Sequence, residues 1–177
     1  MLVGPHSSCG EDGGAGVVWT IDEVPWSHPA AERLRAAQRS ELDERYGSDD
    51  HEPGTPPSAA DVPVFLVASD ASGDAVACGG LRPLDDAVLG PAVTEVKRMF
   101  VAPAARGSGV AAALLRELEA LARRDGARRL VLETGTLQPD AIRFYSREGY
   151  DSIPRFGAYA GSEHSVCFSR TLQPVSL

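Results

Sequence analysis

The segment Arg106-Gly107-Ser108-Gly109-Val110-Ala111 is the part of the chain whose residue types and spacing speak most directly of chemistry. Two glycines flank a serine just before an apolar-periodic stretch, so the free N–H groups of a helix's first turn and the positive end of its dipole converge on one point. That is a site for an anion. Glycine at 107 and 109 lets a diphosphate approach the main chain where a larger side chain would hinder it. No Gly-Lys-Ser/Thr follows, as a kinase-type phosphate loop requires, and the three-glycine spacing of a dinucleotide fold is missing. A plain glycine-rich helix start is the structural alternative.

The elements that must position this segment follow from periodicity. Val93 to Val101 reads as a long strand that stops at Pro103, and Gly107 to Asp125 as an amphipathic helix. That helix carries Ala111, Leu114, Leu115, Leu118, Leu121 and Ala122 on one face, with Arg116, Glu117, Arg123 and Arg124 opposite. Arg129 to Thr134, with the run Leu130-Val131-Leu132, has the pattern of a strand covered on both faces. Strand, helix and strand at this spacing form one crossover unit. Upstream, Val17 to Val24 reads as a strand, Ala30 to Tyr46 as a helix with Ser27 as a candidate cap, and 47 to 62 as a long loop. Val64 to Ala68 and Ala75 to Leu81 suggest a hairpin, with Gly79 and Gly80 marking a bulge. Downstream come a helix from Gln138 to Glu148 and strands near Tyr150 to Ile153 and Ser165 to Thr171. The order predicts an α+β domain with a mixed sheet, antiparallel at first and parallel around the crossover.

Val93 to Ala112 resembles the acetyl-CoA motif of the GNAT superfamily, whose Gln/Arg-x-x-Gly-x-Gly/Ala stands here as Arg106 to Ala111. Met99-Phe100-Val101-Ala102-Pro103 is similar to the family's strand end, where a bulge splays two strands. Gln138-Pro139-Asp140-Ala141-Ile142-Arg143-Phe144-Tyr145-Ser146-Arg147-Glu148-Gly149-Tyr150 resembles its later helix motif, Asn-x-x-Ala-x-x-Phe-Tyr-x-x-x-Gly-Phe, with Gln and Tyr as departures. The resemblance covers about Val93 to Tyr150. It implies a small single-domain, bacterial-type member with a mostly antiparallel sheet, a splayed parallel strand pair and flanking helices. It also implies an acyltransferase that moves acetyl from acetyl-CoA directly to a primary amine of a small molecule (an amino acid, a polyamine-like amine or a metabolite amine), with no metal.

Residue by residue, the resemblance assigns the acetyl-CoA contacts to Met99, Phe100, Val101, Arg106, Gly107, Ser108, Gly109, Val110, Ala111, Ala112 and Gln138. Backbone groups dominate there. Tyr145 matches the tyrosine that protonates the departing CoA thiolate, a task suited to a phenol that stays protonated at neutral pH. Packing of Tyr145 on the sheet is the structural alternative. Glu95 stands where some members carry a glutamate general base, and its neighbours Val93 and Val96 imply burial that raises a carboxyl's pKa. Its rival reading is a structural carboxylate paired with Lys97 or an arginine, with Glu133 as the alternative base. Arg98, one residue on from Lys97, is expected on the opposite side of the strand from Glu95. For the acceptor, the fold offers Glu44 and Tyr46 from the first helix, Glu133, and Phe156 and Tyr159 from the loop after the last helix.

The net charge of −8 lies almost wholly in residues 1 to 60, which hold eleven acids against four arginines. This argues against nucleic acid as a partner and would suit a cationic small molecule. Cys9, Cys78 and Cys167 are widely spaced without C-x-x-C or nearby histidine, so neither a zinc site nor a disulfide framework is expected. Residues 1 to 14, rich in Gly and Ser, read as a disordered tail before a single domain over 15 to 177. No apolar run approaches a membrane span, and a cytoplasmic protein, monomeric or homodimeric, is the expectation. An antibiotic-directed or protein-directed N-acetyltransferase is the alternative within the enzyme class, and a CoA-binding sensor module is the alternative outside it.

Overall fold

The computed structural model describes residues 19–48 and 52–173. The expected tail and the start of the first strand lie outside them. Seven strands form one sheet: β1 (Thr20–Glu23), β2 (Val64–Ser69), β3 (Ala75–Asp86), β4 (Gly90–Val101), β5 (Arg129–Gly135), β6 (Asp151–Ile153) and β7 (Ser165–Thr171), in the order β1-β2-β3-β4-β5-β7-β6. Three helices, α1 (Pro29–Tyr46), α2 (Val110–Arg124) and α3 (Pro139–Arg147), flank it. Every pairing is antiparallel except β4 with β5. The crossover through α2 makes that pair parallel, as the spacing predicts. No helix among the described residues is long and apolar enough to cross a membrane.

The strands β3 and β4 run longer than the sequence pattern indicates, meeting in a hairpin whose outer half is only partly buried. Apolar alternation fades there, so periodicity alone ends those strands early. His28, rather than Ser27, caps α1: its Nδ1 accepts from the Ala30 N–H at 3.2 Å.

Two apolar layers sandwich the sheet. On one face α2 buries Val110, Leu114, Leu115, Leu118 and Leu121 against Leu66, Leu81, Val96, Leu130 and Leu132. Each such leucine contributes about 1.5–3 kcal/mol by leaving water. Glu119 is buried on the same helix, its carboxylate accepting from Arg116, Arg123, Arg170 and the Tyr150 hydroxyl. Arg116 and Arg123, expected to face solvent, therefore fold back over the helix. On the other face α1 packs Ala31 and Leu34 on Phe65, Val67, Cys78 and Phe100. Farther along that face, Phe156 and Tyr159 cover Val93, Val131 and Cys167.

The parallel pair lasts for four residues, Val93 to Val96 beside Arg129 to Leu132. Beyond it, β4 stays with β3 and β5 stays with β7, so the sheet opens. A bulge accompanies the opening. Cys78 pairs with Phe100 and Gly80 with Lys97, leaving Arg98 and Met99 opposite Gly79 alone. Arg98 carries the extra-residue strain, with φ at 56°, a left-handed conformation that costs a non-glycine residue on the order of 1 kcal/mol. The glycines at 79 and 80 mark the bulge, as expected, although the inserted residue belongs to the partner strand.

Candidate active site

The chain leaves β4 through a short 3-10 turn at Pro103–Ala105 and enters α2 through Arg106 to Gly109. Gly107 and Gly109 have φ of 77° and 91°, a region L-residues avoid, and nothing lies within 4 Å of where a Gly107 Cβ would stand. Gly109 is the cap of α2, and no side chain satisfies the helix's first N–H groups from that position. Ser108 Oγ donates to the Ala105 carbonyl at 2.6 Å and accepts at long range, 3.5 Å, from the Val110 N–H. The loop therefore presents main-chain donors, a bare concave rim and the positive end of a 15-residue helix. These features fit a diphosphate.

Arg106 anchors the loop: its Nε donates to the Val101 carbonyl at 3.1 Å and its Nη2 to Glu41 of α1 at 2.6 Å. Gln38 of α1 donates through Nε2 to the Met99 carbonyl at 2.9 Å, while its Oε1 is buried without a hydrogen-bond partner. Both carbonyls that the sequence marks for a donor arm are thus met by side chains of this chain. The Phe100 side chain points into the α1 layer, so that residue can meet a ligand only through its main chain.

Between the parted strands lies a cleft whose walls include Tyr46, Lys97, Arg98, Glu133, Gln138 and Tyr145. Tyr145 comes from α3, held by edge contacts to Phe144 and Tyr150 at 5.1 and 5.7 Å between ring centroids. Burial pushes its hydroxyl pKa above the usual phenol value, so it remains a proton donor. Glu133 follows the last paired residue of β5 and accepts from Ser165 Oγ at 2.8 Å. Burial raises its pKa; the Ser165 hydrogen bond and the nearby Lys97 charge oppose that rise without cancelling it. Tyr46 leans over β5 so closely that a Cβ on Gly135 would stand 1.6 Å from its hydroxyl oxygen. Glycine at 135 is what gives that ring room.

Glu95 sits one step before the opening, 1% exposed, and does not line the cleft. Its Oε2 accepts from Arg82 Nε and Nη2 at 3.0 and 2.7 Å, and its Oε1 from the Tyr159 hydroxyl at 2.6 Å. Both oxygens are thus occupied by strong donors. Tyr159 also accepts from Lys97 Nζ at 2.9 Å, so it braces the cleft wall from behind. Its ring packs on Phe156 at 5.3 Å, and neither aromatic lines the cleft. Glu44 is an exposed residue on α1 and also stands apart from it.

Arg98 departs from the expected alternation. Its Nη2 donates to Glu52 Oε2 at 2.7 Å, while Lys97 Nζ donates to Oε1 of the same carboxylate at 3.1 Å. The bulge resets the strand's phase, so these adjacent side chains converge instead of diverging. Two acids of the N-terminal third are engaged internally: Glu41 pairs with Arg45 and Arg106, and Glu52 with Lys97 and Arg98. Sequence reasoning missed Gln38, Glu52 and Lys97 as cleft residues. A lysine and an arginine inside an otherwise apolar strand were the available signal. Cys78 and Cys167 are buried free thiols, and burial pushes their pKa values up to about 12 and about 11, which disfavours the thiolate that a nucleophile needs.

Residues 26–150 match the family model of the acetyltransferase (GNAT) family. The chain is 38% identical over 108 residues to IAA acetyltransferase of Azospirillum brasilense, an alignment spanning 61% of this chain and 67% of that protein. It spans about half or less of three further curated relatives. Among solved structures, a Klebsiella pneumoniae protein assigned as an acyl-CoA N-acyltransferase superposes with a TM-score of 0.72 at 29% identity, covering 88% of this chain and 98% of that one. A phosphinothricin acetyltransferase of Sinorhizobium meliloti, solved in complex with AcCoA, shares the fold with a TM-score of 0.59 at 20% identity over 87% of this chain and 88% of that one.

Proposed function

The chain belongs to the acetyltransferase (GNAT) family, and from that premise we propose that it acetylates a primary amine of a small molecule by direct transfer from acetyl-CoA. The observation that carries this reading is the opening of the sheet beyond Val96 and Leu132, with Glu133 on one wall and the Tyr145 phenol on another. Acetyl-CoA, when bound, supplies an activated acetyl thioester. Main-chain N–H groups in the segment 107 to 112 would hold its diphosphate, and the main chain of β4 between Met99 and Val101 would align its arm. Gln138 completes the donor side of the cleft.

An alkylammonium has no lone pair, so a proton must leave before nitrogen can attack the thioester carbon. Glu133 is suited to take it, because it lines the cleft and burial raises its pKa above that of a free glutamate. Glu95, the base expected from the sequence, is better suited to hold Tyr159 and Arg82, since it is buried away from the cleft and both of its oxygens already accept from strong donors. Tyr145 supplies the proton that the departing sulfur needs. It lines the cleft, which puts the phenol where that transfer would take place.

The reading is tested by thiol release from acetyl-CoA with a panel of amines, amino acids and aminoglycosides. Acceptor-dependent release, with an acetamide product by mass spectrometry, is the expected result. Tight CoA binding without release for any acceptor would make the protein a binding module instead.

A further inference from the structure

We infer that the acceptor carries a carboxylate as well as its amine, and that Lys97 and Arg98 form the subsite that holds it. This rests on the reading that an amine is acetylated in this cleft, and it names the kind of amine. Among the small-molecule amines expected from the sequence, it selects the amino acids over amines that carry no carboxylate.

Three observations converge on the pair. Lys97 and Arg98 are adjacent cations with side chains only 8% and 7% exposed, an arrangement that requires an anion beside it. Both line the cleft, because the bulge with its positive φ at Arg98 brings the two onto one side. Arg98 is also incompletely used: Nη2 meets Glu52, whereas Nε is buried with no hydrogen-bond partner. A guanidinium fork suits two parallel bonds to one carboxylate, and here one prong lacks its acceptor.

Glu52 shows what the subsite recognises. Its two carboxylate oxygens divide between the two cations, at 3.1 Å from Lys97 and 2.7 Å from Arg98. It belongs to no helix or strand, lying in the connection between α1 and β2, so exchanging it for a substrate carboxylate breaks no regular structure. Lys97 keeps the Tyr159 hydroxyl and a 3.8 Å approach to Glu95 throughout, which holds its charge in place during the exchange.

The position of the base completes the picture. Val96 pairs with Leu132, so the next residues, Lys97 and Glu133, would be neighbours had the strands stayed together. They instead face each other across the opening, a cation on one wall and a carboxylate on the other. An amino acid spans such a site with its carboxylate on Lys97 and Arg98 and its ammonium toward Glu133. The lysine side chain of a folded protein offers no carboxylate for this position.

The test has two arms. In turnover, the full chain with acetyl-CoA is given α- and ω-amino acids and, in parallel, their carboxamides; free carboxylates are expected to show kcat/KM at least about tenfold higher. In binding, sodium benzoate and benzamide are titrated calorimetrically into the CoA-bound protein, into Glu52→Gln and into Lys97→Met. Benzoate is expected to bind Glu52→Gln about tenfold more tightly than the unmodified protein and to lose affinity in Lys97→Met, with benzamide showing neither change. Carboxamides acetylated as well as carboxylates, or benzoate indifferent to Glu52→Gln, overturn the inference while leaving the acetyltransferase reading intact. The expected benzoate pattern without any thiol release upholds the subsite and overturns the reading of turnover. Should Glu52→Gln fail to fold, the turnover comparison on the unmodified chain still decides.

Discussion

Replacing Glu95 with glutamine separates a structural carboxylate from a catalytic one. The side chain is 1% exposed, and its charge meets Arg82 through two hydrogen bonds and Tyr159 through a third. Breaking a buried ion pair from one side costs about 3–5 kcal/mol. Arg82 is one-fifth exposed and keeps Asp61 at 3.1 Å, so screening and the remaining partner reduce the cost here to about 2–3 kcal/mol. For a domain of this size each kcal/mol moves the melting midpoint by about 2–4 °C, which predicts a fall of about 5–10 °C. Glu133→Gln loses one charge at a cleft wall and keeps an acceptor for Ser165, so its stability changes by about 1 kcal/mol or less. Its turnover should fall about a hundredfold or more. Differential scanning calorimetry and initial rates on the two variants, measured side by side, check both halves. A Glu95→Gln protein that melts normally but does not turn over, beside a Glu133→Gln protein at full rate, refutes the argument from occupied oxygens.

Tyr145→Phe keeps the contacts with Phe144, Tyr150 and Phe168 but removes the proton donor; kcat should drop about a hundredfold while CoA affinity by calorimetry stays near the parent value. Gly107→Val puts a branched side chain at a φ of 77°, and the KM for acetyl-CoA should rise at least about tenfold, as initial rates at saturating acceptor will show. The acid limb of the rate profile should lie above the pH at which an unperturbed glutamate would set it. Burial raises Glu133, the base works only when deprotonated, and activity therefore disappears as pH falls through its raised pKa. A pH–kcat series that keeps the same acid limb in Glu133→Gln counts against this assignment. Leu118→Ala, at a fully buried position where α2 meets the sheet, should cost about 2–5 kcal/mol in urea denaturation.

Much of the molecule is legible in the chain because its causes are local. The apolar face of α2, the glycines before it and the continuous apolar run of β5 each express a rule that acts over a few residues. With the two motifs at 106–111 and 138–150, they specify the crossover and the family, and they mark the loop proposed to hold the donor's diphosphate. The hairpin tip between β3 and β4 is less legible, since half-exposed strands lack the alternation that marks buried ones.

What the sequence by itself determined was therefore the family and the loop before α2, the proposed donor half of the site, whose main-chain conformation glycines dictate on the spot. The acceptor half was decided by the tertiary structure. Two glutamates of equal standing in the chain, Glu95 and Glu133, differ because the parallel pairing ends at Val96 and Leu132, burying one among strong donors and leaving the other at the cleft. Lys97 and Arg98, which simple alternation sends to opposite faces, meet on one carboxylate because a single residue in the left-handed region resets the strand. That carboxylate, Glu52, stands 45 residues earlier. Charge pairing across such a distance has no periodic trace in the sequence; it follows from where the sheet opens.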